Sequence, residues 1–104
     1  VPIVEEGLFE GEVLQSAMRY YFKDIKQSPD AIILGCTHFP LISKAIQSYF
    51  PKSALIHSGD AIVEYLSTKC HLHPNTNATT LKLLASDNLE SVKKTAKIWF
   101  YGLI

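Results

Sequence analysis

Four consecutive apolar residues, Ala31-Ile32-Ile33-Leu34, stop at Gly35 and are followed closely by Pro40. A helix places apolar residues every three or four positions, and a half-exposed strand places them every second one. A short unbroken run fits neither pattern. It fits a strand of a parallel sheet that is buried on both faces. Proline is well placed in the first turn of a helix, where its missing N–H is not needed. The chain is therefore expected to leave a strand, turn at Gly35 and enter a helix over 40–49, with Ile42, Ala45 and Ile46 turned inward. Phe50-Pro51 closes that helix, and Ala54-Leu55-Ile56-His57 repeats the short apolar strand.

The flanking sequence extends the alternation. Over 8–25 the residues Leu14, Met18, Tyr21, Phe22 and Ile25 recur at helical intervals with charges opposite them, which predicts an amphipathic helix ended by Ser28-Pro29-Asp30. Ser58-Gly59-Asp60 offers a cap for a helix carrying Ile62, Val63 and Leu66. His73-Pro74-Asn75-Thr76-Asn77 reads as a polar connection. Residues 79–85 are a third strand candidate, and Ser86-Asp87-Asn88 opens a final helix with Leu89, Val92, Ala96 and Trp99 on one face. Strands alternating with helices predict an α/β fold with a mainly parallel sheet.

Composition narrows the functional classes. Ten basic residues balance ten acidic ones, so no electrostatic footprint for nucleic acid or an anionic membrane is present. The Lys93, Lys94 and Lys97 group is a solvated helix face. No apolar run is long enough for a membrane span, and no leader-like segment precedes the first helix. Two cysteines are too few for a disulfide framework, which points to reduced thiols and a cytoplasmic setting. The opening Val1-Pro2-Ile3-Val4 reads as a segment of something longer.

Ligands of open α/β sheets bind beyond the carboxyl ends of the strands, and Gly35-Cys36-Thr37-His38-Phe39-Pro40 falls there. Gly35 permits a turn and close approach of a ligand. The amide ends of the helix that follows favour negative charge, on a bound carboxylate or on the Cys36 sulfur. His38 can act as acid, base or electrostatic partner, and the Thr37 hydroxyl can hold a carboxylate oxygen. Cysteine at a strand end often serves as a small hydrophobe, but a core position would not need these neighbours.

The string Leu34-Gly35-Cys36-Thr37-His38-Phe39-Pro40-Leu41-Ile42 closely resembles the second cysteine motif of the bacterial, cofactor-independent Asp/Glu racemase family, in its glutamate racemase form. Val1-Pro2-Ile3-Val4-Glu5-Glu6, then Glu10-Gly11-Glu12, is similar to the segment ahead of a helix in that family. Ile56-His57-Ser58-Gly59-Asp60-Ala61-Ile62-Val63 is similar to its later strand–Ser-Gly–helix element. The resemblance implies an isomerase that interconverts L- and D-glutamate with two thiols on opposite faces of the α-carbon, without cofactor or metal, supplying D-glutamate to peptidoglycan. It also implies a homodimer. By the same resemblance Cys36 is one catalytic thiol, His38 assists it, and Thr37 and His38 contact substrate. Glu5 matches a carboxylate near the active site that can meet the substrate ammonium. Residues 1–57 then form part of the lobe carrying the second cysteine, and 58–104 return to the other lobe.

Two motifs of the resembled family, Asp-Ser-Gly-x-Gly-Gly and Ala-Cys-Asn-Thr-Ala, do not occur in this sequence. Cys70 has none of the neighbours of a second base, so the chain holds half of a two-thiol site and is expected to be inactive alone. Cys70, His71 and His73, even with His57, lack the paired spacings of zinc sites, so no metal is assigned. Trp99, Phe100 and Tyr101 are read as core aromatics of a terminal helix that borders the site in the resembled family. Two other readings are an aspartate or other amino-acid racemase, in which Glu commonly stands where His38 does, and a non-catalytic α/β binding module.

Overall fold

A computed structural model describes residues 1–71 and 80–100 of the chain. It is α/β, in the element order expected for a β-α-β unit with a helix on either side. Two compact units divide the chain at residues 73 and 74.

In the first unit, a one-turn helix α1 (Pro2–Glu5) uses Pro2 in its first turn and buries Val4. The helix expected over 8–25 is shorter, α2 (Glu12–Phe22), because Gly7 and Gly11 sit at φ 79° and 95°. That left-handed backbone interrupts a helix and suits glycine. Leu14 and Met18 are buried one turn apart, with Phe22 packed against the core a turn later.

β1 (Ala31–Leu34) and β2 (Ala54–His57) pair in parallel, with Ala31 opposite Ala54 and Leu34 opposite His57. Between them the chain makes a 3-10 turn (Phe39–Ile42) and then α3 (Ser43–Tyr49), where one continuous helix over 40–49 is expected. Ile42 and Ile46 are buried as anticipated and Ala45 is half-buried. The crossover is locked at its far end. Gln47 Nε2 donates to the carbonyls of Phe50 at 3.0 Å and Ser53 at 2.9 Å, and buried Ser53 donates its hydroxyl to the Pro29 carbonyl. Phe22, Tyr49 and Phe50 stack edge to face or tilted, with centroids 4.8 to 5.4 Å apart. Such ring pairs add about 0.5–1.5 kcal/mol each beyond area burial.

Within the first unit the core packs on one face of the sheet. Leu34 is buried, and Ile32 and Leu55 pack against the core formed by Val4, Leu14, Met18, Ile42, Ile46 and Phe50. On the opposite face Ile33 is 76% exposed and Ile56 48%. Burial on both faces, expected from the apolar run, is met on one.

α4 (Ser58–Lys69) starts directly at Ser58, with His57 at the cap position, so Ser58-Gly59-Asp60 lies inside the helix and supplies no cap. Its residues Ile62, Val63 and Leu66 are exposed. In the second unit residues 80–85 adopt no strand, contrary to the sequence reading, and Leu81 and Leu84 stand exposed. A strand needs a partner for its backbone groups, and the described sheet consists of β1 and β2. Thr79 and the connection around Pro74 lie outside the described residues. α5 (Leu89–Trp99) forms as expected, and the Asn88 side chain accepts from Ser91 N–H at 3.3 Å as its cap. Among the described residues no helix is long and apolar enough to cross a membrane.

Candidate active site

β1 ends at Leu34, and the next residues turn away from the sheet at once. Gly35 N–H donates to the Ile33 carbonyl at 3.0 Å, and Phe39 N–H donates to the Cys36 carbonyl at 3.1 Å. Leu41 N–H then donates to the His38 carbonyl at 3.1 Å, opening the 3-10 turn. Cys36, Thr37 and His38 therefore occupy one tight bend whose two ends are held by a strand and a helix. Rigid supports of this kind keep reactive groups in place better than a free loop does.

Within the bend the half-buried Cys36 places Sγ 3.6 Å from His38 Nδ1. That separation is within reach of a sulfur–nitrogen hydrogen bond. The other ring nitrogen, Nε2, lies 3.1 Å from Glu5 Oε1. The His38 side chain is 20% exposed and that of Glu5 59% exposed. The three residues thus form a connected chain from thiol to imidazole to carboxylate. α1 brings Glu5 across 33 positions of sequence, and buried Val4 anchors that helix in the core. When the carboxylate accepts the Nε2 proton, Nδ1 is left as an acceptor facing the sulfur. A proton can then pass between Sγ and Nδ1.

Sequence reading singled out all four residues, and the structure brings Cys36, His38 and Glu5 into contact. Thr37 sits exposed in the same bend. Glu5 engages the histidine ring, a relation that the distance between them in sequence conceals. Cys70 is exposed at the carboxyl end of α4, away from the Cys36 bend in sequence and by element. His73 lies outside the described residues, and among the described ones no group of three or more His, Cys, Asp or Glu side chains is placed to hold a metal ion.

The sequence reading did not anticipate a second histidine–carboxylate pair. His57 Nε2 lies 2.8 Å from Asp60 Oδ2 at the carboxyl end of β2. Because β1 and β2 are in register, that end lies beside the end of β1. A His-x-x-Asp spacing across a strand–helix junction is the signal that could have found it. A cavity of about 880 Å³ lies between α2 and α3 and is not lined by any of the four site residues.

Comparison with known proteins finds relatives of the whole chain. No family model matches the chain. Over 100 residues it is 55% identical to the glutamate racemase of Campylobacter jejuni, covering 95% of this chain and 40% of that protein. It is 53% identical to the glutamate racemase of a Nitratiruptor species over 95% of the chain and 39% of the relative. For a Helicobacter pylori glutamate racemase the values are 48%, 95% and 42%. The crystal structure of the Campylobacter jejuni glutamate racemase superposes with a TM-score of 0.86 at 53% identity, covering 99% of this chain and 41% of that one. Sequence and fold together define an amino-acid-racemase-like α/β segment. Within that class its relatives are glutamate racemases, and the chain spans about 40% of the length of the curated relatives it matches.

Proposed function

We propose that this chain supplies one half of a two-thiol glutamate racemase site, with Cys36 carrying the proton for one face of the substrate α-carbon. The observation that carries this reading is the contact chain from Cys36 Sγ through His38 to Glu5. A thiolate on Cys36 takes the α-proton. The carbon–hydrogen bond breaks, its electron pair stays on carbon, and a sulfur–hydrogen bond forms. A thiol on the opposite face, from polypeptide outside this chain, then gives its proton to carbon and is left as thiolate. The configuration is inverted and the two sulfurs have exchanged roles. The cycle closes when Cys36 passes its proton by way of His38 Nδ1 to water and the opposite thiolate takes a proton back from water.

His38 is thereby the acid–base partner of Cys36, and Glu5 holds its ring by accepting the Nε2 proton. The Thr37 hydroxyl holds an oxygen of the substrate carboxylate. Developing negative charge is met by the substrate ammonium and by fixed donors, with no cofactor or metal in the cycle. Residues 1–57 belong in this reading to the lobe that holds Cys36, and 58–104 return to the other lobe. The complete enzyme is a cytoplasmic homodimer that provides D-glutamate for peptidoglycan. Relatives named glutamate racemase support the choice of glutamate.

The test is a chimera in which this chain replaces the matching part of the Campylobacter jejuni enzyme. Racemisation is followed by circular dichroism of L-glutamate, and α-proton removal by uptake of solvent deuterium. The chimera should racemise, and Cys36→Ala should lower turnover at least about a thousandfold, in the range expected when a positioned acid–base group is lost. Racemisation that survives Cys36→Ala would overturn the assignment.

A further inference from the structure

We propose that Gly35 is a positioning residue of the site: the side chain it lacks is the space through which the substrate α-carbon reaches the Cys36 sulfur. This role deepens the racemase reading given above and rests on it. Glycine loses more backbone freedom on folding than any other residue, so a glycine held in ordered structure calls for a reason. The reason can be a left-handed backbone, a neighbouring atom that a Cβ would strike, or a ligand or second backbone that comes close.

Four glycines lie among the described residues, and three have reasons within this chain. Gly7 and Gly11 take left-handed φ values of 79° and 95°. Gly59 has no such backbone, but a Cβ on it would come within 3.1 Å of His57 Nδ1. Gly35 has neither reason. Its φ lies outside the left-handed range, and a Cβ built on it would meet no atom within 4 Å beyond its two sequence neighbours. The turn does not need glycine either. Gly35 N–H donates to the Ile33 carbonyl at 3.0 Å, a bond that alanine can also make. A turn and a close approach are the two uses of glycine open at this position, and the backbone removes the first.

Place decides what approaches. Gly35 is exposed, follows the last residue of β1 and directly precedes Cys36. Ligands of α/β sheets gather beyond this end of the strands. The half-buried Cys36 sulfur is held against His38, so the substrate must come to the sulfur. Proton transfer needs the reacting atoms about 3–3.5 Å apart. Non-bonded carbon atoms settle at about 3.5–4.0 Å, so a methyl group at position 35 would hold the substrate back from its reacting distance.

Gly35→Ala tests this in two contexts. In the isolated chain the melting temperature should stay level or rise by up to roughly 5 °C, because alanine restricts the unfolded chain. A fall of more than roughly 3 °C would return Gly35 to the fold and overturn the proposal. In the chimera with the Campylobacter jejuni enzyme the same change should raise KM for L-glutamate at least about tenfold. It should also lower kcat/KM at least about a hundredfold, as a small misplacement of substrate does. Gly35→Val should lower kcat/KM further, and calorimetric binding of L-glutamate should weaken in the same order. Unchanged KM and kcat/KM would overturn the role of Gly35. So would a chimera that Gly35→Ala destabilises by roughly 10 °C with KM intact, which would assign the close approach to another part of the polypeptide. The Cys36→Ala chimera judges the racemase reading separately. If it is inactive while Gly35→Ala leaves KM and kcat/KM intact, only the role of Gly35 falls. If it still racemises, the racemase reading falls. A parent chimera that neither turns over nor binds L-glutamate would overturn both.

Discussion

The carboxyl ends of β1 and β2 lie side by side, and each carries a histidine held by a carboxylate. His57 meets Asp60 at 2.8 Å and His38 meets Glu5 at 3.1 Å. By distance alone the His57 pair is the tighter. What separates them is the second ring nitrogen. In His38 Nδ1 faces the Cys36 sulfur at 3.6 Å. In His57 the same atom lies over the helix at Gly59, where an added Cβ would come within 3.1 Å of it. One pair therefore connects to a thiol, and the other folds back on its own helix start. The Asp60 pair spans three residues at the amino end of α4, where acidic groups are favoured by the helix dipole. The Glu5 pair joins elements 33 residues apart, and nothing local calls for it. A short histidine–carboxylate contact is thus weak evidence of chemistry until the far side of the ring is known.

The comparison can be broken most sharply at the imidazoles. In the chimeric racemase His38→Ala is expected to lower turnover by about 10²–10⁴, and His57→Ala by less than about threefold. Equal losses, measured as initial rates of racemisation, would erase the distinction. Stability should separate the strand ends next. Leu34 and His57 are opposite each other, but Leu34 is 4% exposed within the main core. Leu34→Ala should cost about 2–5 kcal/mol in denaturant unfolding of the isolated chain, against under about 1 kcal/mol for His57→Ala. The smallest effects sharpen the carboxylates. Glu5→Gln should lower turnover roughly tenfold with little change in stability, since it loosens the ring that touches the Cys36 sulfur. Asp60→Asn should do the reverse, leaving turnover intact and removing about 0.3–1 kcal/mol of helix stabilisation. An activity loss for Asp60→Asn matching that of Glu5→Gln would place both pairs in the site.

Much of this was legible in the sequence where the signal was local. Both strands fall on the residues expected, because short apolar runs bounded by Pro29, Gly35 and Pro51 leave few alternatives. The motif around Cys36 marked out the candidate site, and the structure sets Cys36 and His38 in contact within one bend. Helix ends were read less well. Gly11 at φ 95° starts α2 later than periodicity implied, and a 3-10 turn takes over the first residues of the helix expected from Pro40. The largest departure is at residues 80–85, whose apolar content suggested a strand. Strand formation depends on a partner elsewhere in space, and pattern alone does not supply one. The contact of Glu5 with His38 was hidden for the same reason.

The sequence by itself determined the alternation of helix and strand, the parallel character of the sheet and the position of a cysteine beside a histidine. These depend on side-chain spacing and on the backbone limits of glycine and proline, which act over a few residues. Tertiary structure alone decided that α1 swings Glu5 onto His38, that His57 turns toward Asp60 rather than toward a thiol, and which face of the sheet meets the core of the first unit. Each of these is set by which elements share a core, a cooperative choice made by burial across distant parts of the chain. An apolar run at Ile33 states that the strand wants cover on both sides; only the folded unit shows which side has it.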